Sequence, residues 1–385
     1  IDPDSLRNVS ELISSKGYPV EEHEAVTGDG YLLSIQRISR GMNESPDTTS
    51  PHKTPVLLQH GLFGDSSQFV LNFPNQSLGF ILADAGYDVW LGNSRGSTYS
   101  SHVNLTRNDK TFWEFSADEI ASEDIPSIVD TILKITGRSK LQYVGYSQGV
   151  LTMMALLSEK PEYNEKLHCC WLKWMLTRKF LLVDVVRKDR NCRTSVKQKF
   201  DILLFYLQCH IDVKGQFLSS TPAFKIAAMA LCGSSADDSI CAAIIVFGQG
   251  VDSKQLNKTR LSVYFTHFPA GSSVNNILQL VQLVRCNCFQ KFDHGILKNV
   301  AKYGKVKPPP YVLSRVTLPV ALYWSKGDWF ATEKDVARLR NELKNVVEYY
   351  QVPEEQFTHL DFAWGINAEP ILYRKMMRVM KEFQN

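Results

Sequence analysis

Strand-like and helix-like segments alternate at both ends of the 385-residue chain, and this alternation constrains the fold more than any other feature. Residues 31–39, 54–60 and 86–96 read as strands, and residues 116–137 carry apolar side chains at helical spacing. The alternation returns at residues 317–328 and continues to the end of the chain. Strands that alternate with helices predict an α/β fold with a mostly parallel central sheet flanked by helices on both faces.

The middle of the chain departs from this pattern. Residues 169–305 have few clear strands and more helical apolar spacing, so we expect a helical cap inserted into a core formed by residues 1–168 and 306–385. The most apolar stretch, residues 224–248, is interrupted by two adjacent aspartates. It therefore predicts a buried or interfacial element rather than a transmembrane segment.

Composition and cysteine spacing narrow the class further. A 44% hydrophobic and 22% charged composition is that of a globular protein, and a formal net charge of +3 gives no electrostatic reason to expect a nucleic-acid partner. Cys232 and Cys241 flank a short polar segment that a disulfide could close. Four further cysteines lack the spacing of a zinc site and are interpreted as buried or incidental thiols, with no metal expected: Cys169, Cys170, Cys286 and Cys288.

Five Asn-x-Ser/Thr sequons point to the secretory pathway. Each is a short pattern that arises by chance, but five together favour a secreted or lysosomal glycoprotein. The chain begins at Ile1, as a processed mature chain would, although an incomplete sequence would look the same. The predicted glycosylation sites are Asn8, Asn43, Asn75, Asn104 and Asn257.

A serine flanked by glycines follows one predicted strand, in the sequence LQYVGYSQGV at residues 141–150. A serine hydroxyl is a poor nucleophile until a neighbouring base removes its proton. In α/β-hydrolases that serine lies on a strained turn between a strand and a helix, where small neighbours let the backbones approach each other. The strand and helix on either side of the turn favour a nucleophilic Ser147 over a merely flexible loop.

The residue order predicts the partners of Ser147. The fold places the nucleophile first, then the acid, then the histidine. Among the histidines after the serine, only His359 lies in a loop between a late strand and the terminal helix. Asp328 ends a strand through a turn, whereas Asp335 falls inside a helix and Asp361 is too close to the histidine along the chain. We therefore predict Asp328 as the acid and His359 as the base, although Asp328 alone could equally be a turn or capping aspartate.

An oxyanion hole needs two backbone N–H groups aimed at the developing negative charge. Gln148, directly after the serine, should supply one through its backbone alone, and Leu62 in the loop sequence HGLFG should supply the other. Gly61 would allow the close approach. We interpret His60 as a residue that orders this loop, and Arg95 as a structural loop arginine.

The chain resembles the acid lipase family, which includes the gastric and lysosomal acid lipases. The blocks that carry the resemblance run nearly end to end and include LLQHGLFGDSSQFV, AGYDVWLGNSRGSTYS, VGYSQG, YFTHFPAGSSVNN, SKGDWFATEKDV and THLDFAWG. The resemblance implies an α/β-hydrolase fold with a cap and lid, and Ser-His-Asp hydrolysis of triacylglycerol or sterol esters at a lipid–water interface, by a monomer that needs no cofactor. It assigns the same triad and oxyanion donors and implies a Cys232–Cys241 disulfide.

The sequence departs from the family directly after the nucleophile helix. Residues 167–197 contain several basic residues and two tryptophans where the family has an apolar strand rich in small residues. Either CCWLKWML or KFLLVDVV could supply that strand.

Phe63, Tyr146 and Trp329 lie beside site residues and are predicted to line an acyl pocket. Two rival readings remain: a catalytically silent lipid-binding or yolk-type homologue, and a peptidase or short-chain esterase on the same fold.

Overall fold

A computed structural model describes most of the chain. The described residues are 2–45, 53–173, 215–218, 221, 225–226 and 254–384, and of residues 171–173 only the backbone is described. The predicted Cys232–Cys241 disulfide and most of the apolar stretch at residues 224–248 lie outside these ranges.

A nine-stranded sheet forms the centre of the protein. Its strands lie in the order β1-β2-β4-β3-β6-β7-β10-β11, with β5 paired to β2. The β1–β2, β2–β4 and β2–β5 pairs are antiparallel, and every pair from β4 to β11 is parallel. The predicted mostly parallel sheet is therefore confirmed. The strands are β1 Glu21–Val26, β2 Tyr31–Ile38, β3 Pro55–Gln59, β4 Asp88–Gly92, β5 Ser100–His102, β6 Leu141–Tyr146, β7 Leu167–Lys173, β10 Val320–Trp324 and β11 Val346–Gln351.

Helices cover both faces of the sheet. Alternate strand residues enter opposite cores because side chains alternate along a strand: Leu57 and Tyr143 pack on one face, and Val56 and Val144 on the other. The described helices are α1 Val9–Ser15, α2 Leu78–Asp84, α3 Ala117–Glu119, α4 Ile125–Thr136, α5 Gln148–Glu159, α6 Leu261–His267, α7 Val274–Cys286, α8 Ile296–Tyr303, α9 Glu333–Glu342, α10 Asp361–Trp364 and α11 Arg374–Glu382, with π-helical turns at Ile120–Asp124 and Glu369–Tyr373. None of them is both long and apolar enough to cross a membrane.

Strand β7 corrects the expected start of the cap at residue 169. The strand runs parallel to β6 on one side and to β10 on the other, so the sheet continues to Lys173. The buried thiols of Cys169 and Cys170 fit a strand covered on both faces. Of the two segments that could supply this strand, CCWLKWML contributes it, and KFLLVDVV lies outside the described residues.

Residues 254–305 are mainly helical and include one strand of a short two-stranded ribbon. The ribbon pairs β8, Gln216–Phe217, with β9, Ser272–Ser273, which leads directly into α7. At the end of α7 the structure links Cys286 to Cys288, two residues that the sequence predicts as buried or incidental thiols. The prediction was wrong because Asn287 adopts a left-handed conformation, which brings the two Cα atoms within 5.2 Å, inside the range a disulfide spans.

Candidate active site

Ser147 lies on a strained turn between β6 and α5. Its φ of 57° and ψ of −117° are unfavourable for a residue with a side chain. The strain follows from the direct passage of the strand into the helix, whose first residue is Gln148. The turn leaves the Ser147 hydroxyl at the carboxyl end of the parallel strands, where α/β sheets form their sites.

Glycines surround this turn because neighbouring backbones and side chains leave no room for a Cβ. A Cβ on Gly149 would lie 2.7 Å from the carbonyl oxygen of Gln59, at the end of β3. A Cβ on Gly61 would lie 2.8 Å from the Cβ of Ser147. The HGLFG loop and the serine turn are therefore packed against each other, as the sequence predicted.

The three residues predicted as a triad are in contact. The Nε2 atom of His359 lies 3.0 Å from the Oγ of Ser147, and its Nδ1 lies 3.0 and 3.2 Å from the two carboxylate oxygens of Asp328. All three residues are at most 5% exposed. Because an ionised carboxylate only accepts hydrogen bonds, Nδ1 carries the imidazole proton and Nε2 is left to accept from the serine.

Asp328 also has the turn role that the sequence allowed. Its Oδ1 accepts hydrogen bonds from the backbone N–H groups of Phe330 and Ala331, at 2.7 and 2.9 Å. These bonds hold the carboxylate toward His359, so the two interpretations of this aspartate are compatible. Asp335 instead closes the capping box of α9 with Thr332.

Two further residues hold the loop that carries His359. Asp361 accepts hydrogen bonds from the backbone N–H and the hydroxyl of Thr358, at 2.6 and 2.8 Å, and so caps the turn. The hydroxyl of Tyr146 donates to the carbonyl oxygen of His359 at 2.8 Å, and the two rings are 5.1 Å apart. This hydrogen bond gives Tyr146 a positioning role that the sequence did not suggest.

His60 orders the loop that contains Leu62. Its Nε2 accepts the backbone N–H of Ser94 at 3.0 Å, and its Nδ1 therefore donates to the carbonyl oxygen of Gly61 at 2.7 Å. Burial lowers the pKa of His60, which favours the neutral ring that this arrangement requires. The histidine ties the loop to the end of β4, in agreement with the predicted ordering role.

Gln148 makes side-chain contacts in addition to starting helix α5. As the first residue of α5, its N–H is not used within the helix and is available at the turn. Its side-chain amide also exchanges two hydrogen bonds with that of Asn276 on α7, at 2.7 and 3.1 Å. Sequence reasoning missed Asn276, although it falls in the block YFTHFPAGSSVNN that carries part of the family resemblance.

Of the predicted pocket residues, Phe63 and Trp329 are partly exposed, and Tyr146 is buried beside the triad. Phe63 stacks on Phe217 of β8, with ring centroids 5.6 Å apart, and its carbonyl oxygen accepts the N–H of Ala270. Trp329 follows Asp328 directly and is partly exposed. The sequence did not predict the contact between Phe217 and Phe63, because the residues around Phe217 show no clear helix or strand periodicity. The acyl-binding role of Phe63, Tyr146 and Trp329 stays a prediction.

Arg95 is structural, as interpreted. Its guanidinium pairs with buried Asp124 at 2.7 Å and with Asp29 at 2.6 Å, and it lies over the ring of Tyr31. Its Nε donates a hydrogen bond to Asp124, and its Nη1 and Nη2 each donate one to Asp29. It therefore fixes the loop after β4 and does not reach the triad.

The five sequons lie at the protein surface. Asn8, Asn43, Asn75 and Asn104 are exposed, and Asn257 is partly exposed. A glycan could therefore be accommodated at each position without entering the core. Their modification stays a prediction.

Comparison with known proteins places the chain in a family. Residues 9–73 match the family model of a partial α/β-hydrolase lipase region, and residues 54–173 match that of the α/β hydrolase fold. Two solved structures share the fold: a proline iminopeptidase from Mycobacterium smegmatis (TM-score 0.53, 14% identity, 94% of this chain and 99% of that chain) and an esterase from Exiguobacterium antarcticum (TM-score 0.51, 13% identity, 94% and 100%). At such low identity they support the fold alone.

Relatives found by sequence are much more similar to this chain than these two solved structures are. The lysosomal acid lipase/cholesteryl ester hydrolase of Homo sapiens is 38% identical over 387 residues, which cover 100% of this chain and 93% of that protein. The gastric triacylglycerol lipase of Bos taurus is 36% identical, covering 99% of this chain and 92% of that protein. Similarity at this level over the full chain, on the fold described above, means that the protein belongs to the acid lipase family of α/β-hydrolases.

Proposed function

We propose that the protein hydrolyses carboxylic esters of neutral lipids, triacylglycerols or sterol esters, through an acyl-enzyme on Ser147. The observation that carries the proposal is the line of contacts from the Ser147 hydroxyl through His359 to Asp328. Its chemical elements are a nucleophile, a base oriented to accept the nucleophile's proton, and a buried carboxylate that fixes the base.

In the first half of the reaction, Nε2 of His359 takes the proton of Ser147 as the serine oxygen attacks the ester carbonyl. Asp328 stabilises the imidazolium that forms, since its carboxylate faces the protonated Nδ1. The imidazolium then gives its proton to the departing alcohol, which leaves the acyl group on Ser147. A water molecule attacks that ester with His359 again acting as the base, and the fatty acid is released.

The backbone N–H groups of Leu62 and Gln148 are proposed to hold the negative oxygen of the tetrahedral intermediate. Gly61 supports this assignment, because the loop before Leu62 approaches Ser147 closely enough to exclude a Cβ. Loss of one such donor costs about a hundred- to a thousandfold in rate. His60 and the Gln148–Asn276 pair would keep both donors in place before substrate binds.

The proposed substrate class rests on the relatives and not on a visible pocket. Their names describe enzymes acting on cholesteryl esters and triacylglycerol. The same names include a lysosomal and a gastric protein, which supports a secretory or lysosomal location for this chain as well. Surface sequons fit that route.

The test combines turnover with covalent labelling. Ser147→Ala should abolish hydrolysis of long-chain esters and prevent labelling by a serine-directed phosphonate, because no other nucleophile lies against Nε2 of His359 among the described residues. Ser122→Ala, at a partly exposed position, is the control and should retain both properties.

The outcomes separate the rival functions. Labelling of Ser147 without turnover on any ester would identify a silent lipid-binding homologue. Faster turnover of short dissolved esters than of emulsified long-chain esters would identify a short-chain esterase, and cleavage of amides alone would identify a peptidase. Each of these results would overturn the proposal.

A further inference from the structure

Helix α8 presents its apolar side chains outward. Leu297 is 86% exposed, more than any other large apolar residue in the described ranges, and Ile296 and Val300 are 65% and 48% exposed. Val306, in the loop that follows, is 56% exposed. Single exposed aliphatic residues are ordinary, but several within one turn and a short loop indicate a surface that meets something apolar.

The opposite side of α8 is polar and bound to the protein. Asn299 is buried, and its side chain donates to the carboxylate of Asp293 and to the carbonyl oxygen of Val306. The hydroxyl of Tyr303 donates to the carbonyl oxygen of Phe292. Hydrogen bonds therefore hold this helix with its aliphatic face outward, the reverse of the usual amphipathic arrangement.

Lysines surround the exposed aliphatic residues. Residues 291–307 contain five lysines and one aspartate, whereas the whole chain has a formal net charge of only +3. Lys291 pairs with Glu159, and Lys302 pairs with Glu119. The other three, Lys298, Lys305 and Lys307, are exposed and pair with no acidic side chain among the described residues.

We propose that residues 296–307, the basic apolar segment, dock the protein on an anionic lipid surface. Aliphatic side chains would enter the boundary between headgroups and acyl chains, and the lysines would meet the negative headgroups. A lipid surface fits better than a protein partner, because a stable protein interface buries about 1,200–2,000 Å² in total and an eight-residue helix with a short loop offers little of that.

The segment is connected to the candidate active site through a short series of contacts. The N–H of Phe292 bonds to Asp118, whose carboxylate also accepts from Gln279 on α7. One turn earlier on α7, Asn276 pairs with Gln148 beside the nucleophile. The inference rests on the proposed function in that docking would bring this site to lipid esters.

Vesicle binding tests the proposal without turnover. The full chain carrying Ser147→Ala is mixed with vesicles of phosphatidylcholine, either alone or with added phosphatidylserine, and the bound fraction is measured by sedimentation. We expect tighter binding to the anionic vesicles, weakened by salt. Adding Leu297→Gln should weaken binding about tenfold, because the polar side chain would lose the favourable transfer of a partly immersed leucine out of water.

Lysine variants test the charge contribution separately. Replacing Lys298, Lys305 and Lys307 by glutamine should weaken binding to anionic vesicles about fivefold per lysine, the equivalent of about 1 kcal/mol each. Matched controls outside the segment are Leu6→Gln, at a 71% exposed leucine, and Lys344→Gln, at an exposed lysine. Both controls should bind as the parent does.

Three results would overturn the proposal. One is equal binding of the segment variants and the controls. Another is binding that does not depend on phosphatidylserine. The third is self-association of the parent, seen by sedimentation velocity and lost in Leu297→Gln, which would assign the segment to a protein contact. Because the parent lacks Ser147, failure of the proposed hydrolase function leaves this test unaffected.

Discussion

The hydrogen bond from Tyr146 to the His359 carbonyl offers a specific test of how the base is positioned. Tyr146→Phe removes one hydroxyl and leaves the ring that lies 5.1 Å from the imidazole. Tyr373→Phe is the matched control, since Tyr373 is also buried and its hydroxyl donates to the carbonyl oxygen of Phe362 over the same 2.8 Å. The two acceptors are three residues apart on the same segment, and only one belongs to the proposed base.

The expected magnitudes follow from the chemistry of a buried neutral hydrogen bond. Each variant should lose at least about 1 kcal/mol of unfolding free energy, because it loses one hydrogen bond and leaves the buried carbonyl oxygen of His359 or Phe362 without this donor. Asp328 still holds Nδ1 in the Tyr146 variant, so the imidazole keeps its tautomer and loses only part of its placement. If the Tyr146 variant also loses about 1 kcal/mol of transition-state stabilisation, its activation barrier rises by that amount and kcat falls about fivefold.

The assay compares urea unfolding with kcat and KM for a dissolved ester in both variants. We expect equal losses of stability, a lower kcat only in Tyr146→Phe, and an unchanged KM in both. Equal kcat values in the two variants would refute the reasoning, because the Tyr146 hydroxyl would then stabilise the fold without positioning His359.

Two further predictions concern the packing of the turn and the anchoring of the N-terminus. Gly149→Ala should lower kcat about a hundredfold, because the new Cβ would lie 2.7 Å from a carbonyl oxygen of β3 and would displace the oxyanion loop. Gly137→Ala is the control: a Cβ there would have no atom within 4 Å, so this variant should lose stability but keep its kcat. Equal kcat values in the two variants would contradict this prediction. Burial alone would raise the pKa of Asp4, but hydrogen bonds from Lys16 and Arg260 lower it to about 2. A carboxylate whose pKa is lowered in the folded state stabilises the fold at pH values above its unfolded pKa of 3.8. Asp4→Asn should therefore lower the unfolding free energy, measured in urea, by about 2 kcal/mol at pH 7. The difference between parent and variant should shrink as the pH falls through about 2, and a difference that does not change with pH would contradict this reasoning.

The sequence predicted the fold where local signals are strong. The apolar spacing of residues 116–137 predicts a helix, and the structure has helical turns from Ala117 to Thr136, which begin with a capping box between Ser116 and Glu119. Strand β7 was harder to place, because its residues are bordered by charged and aromatic ones that read equally well as cap. Its position follows from pairing with β6 and β10, which are distant along the chain.

The sequence alone identified the residues that we propose for catalysis: the glycine-flanked Ser147, and Asp328 and His359 in the order that the fold requires. Local spacing and chain order carry that information. Only the tertiary structure decided how these residues are held, since Tyr146 reaches the His359 carbonyl across 213 positions and Gln148 reaches Asn276 across 128. Hydrogen bonds of this kind join segments that become neighbours only when the sheet assembles, so no local pattern could reveal them.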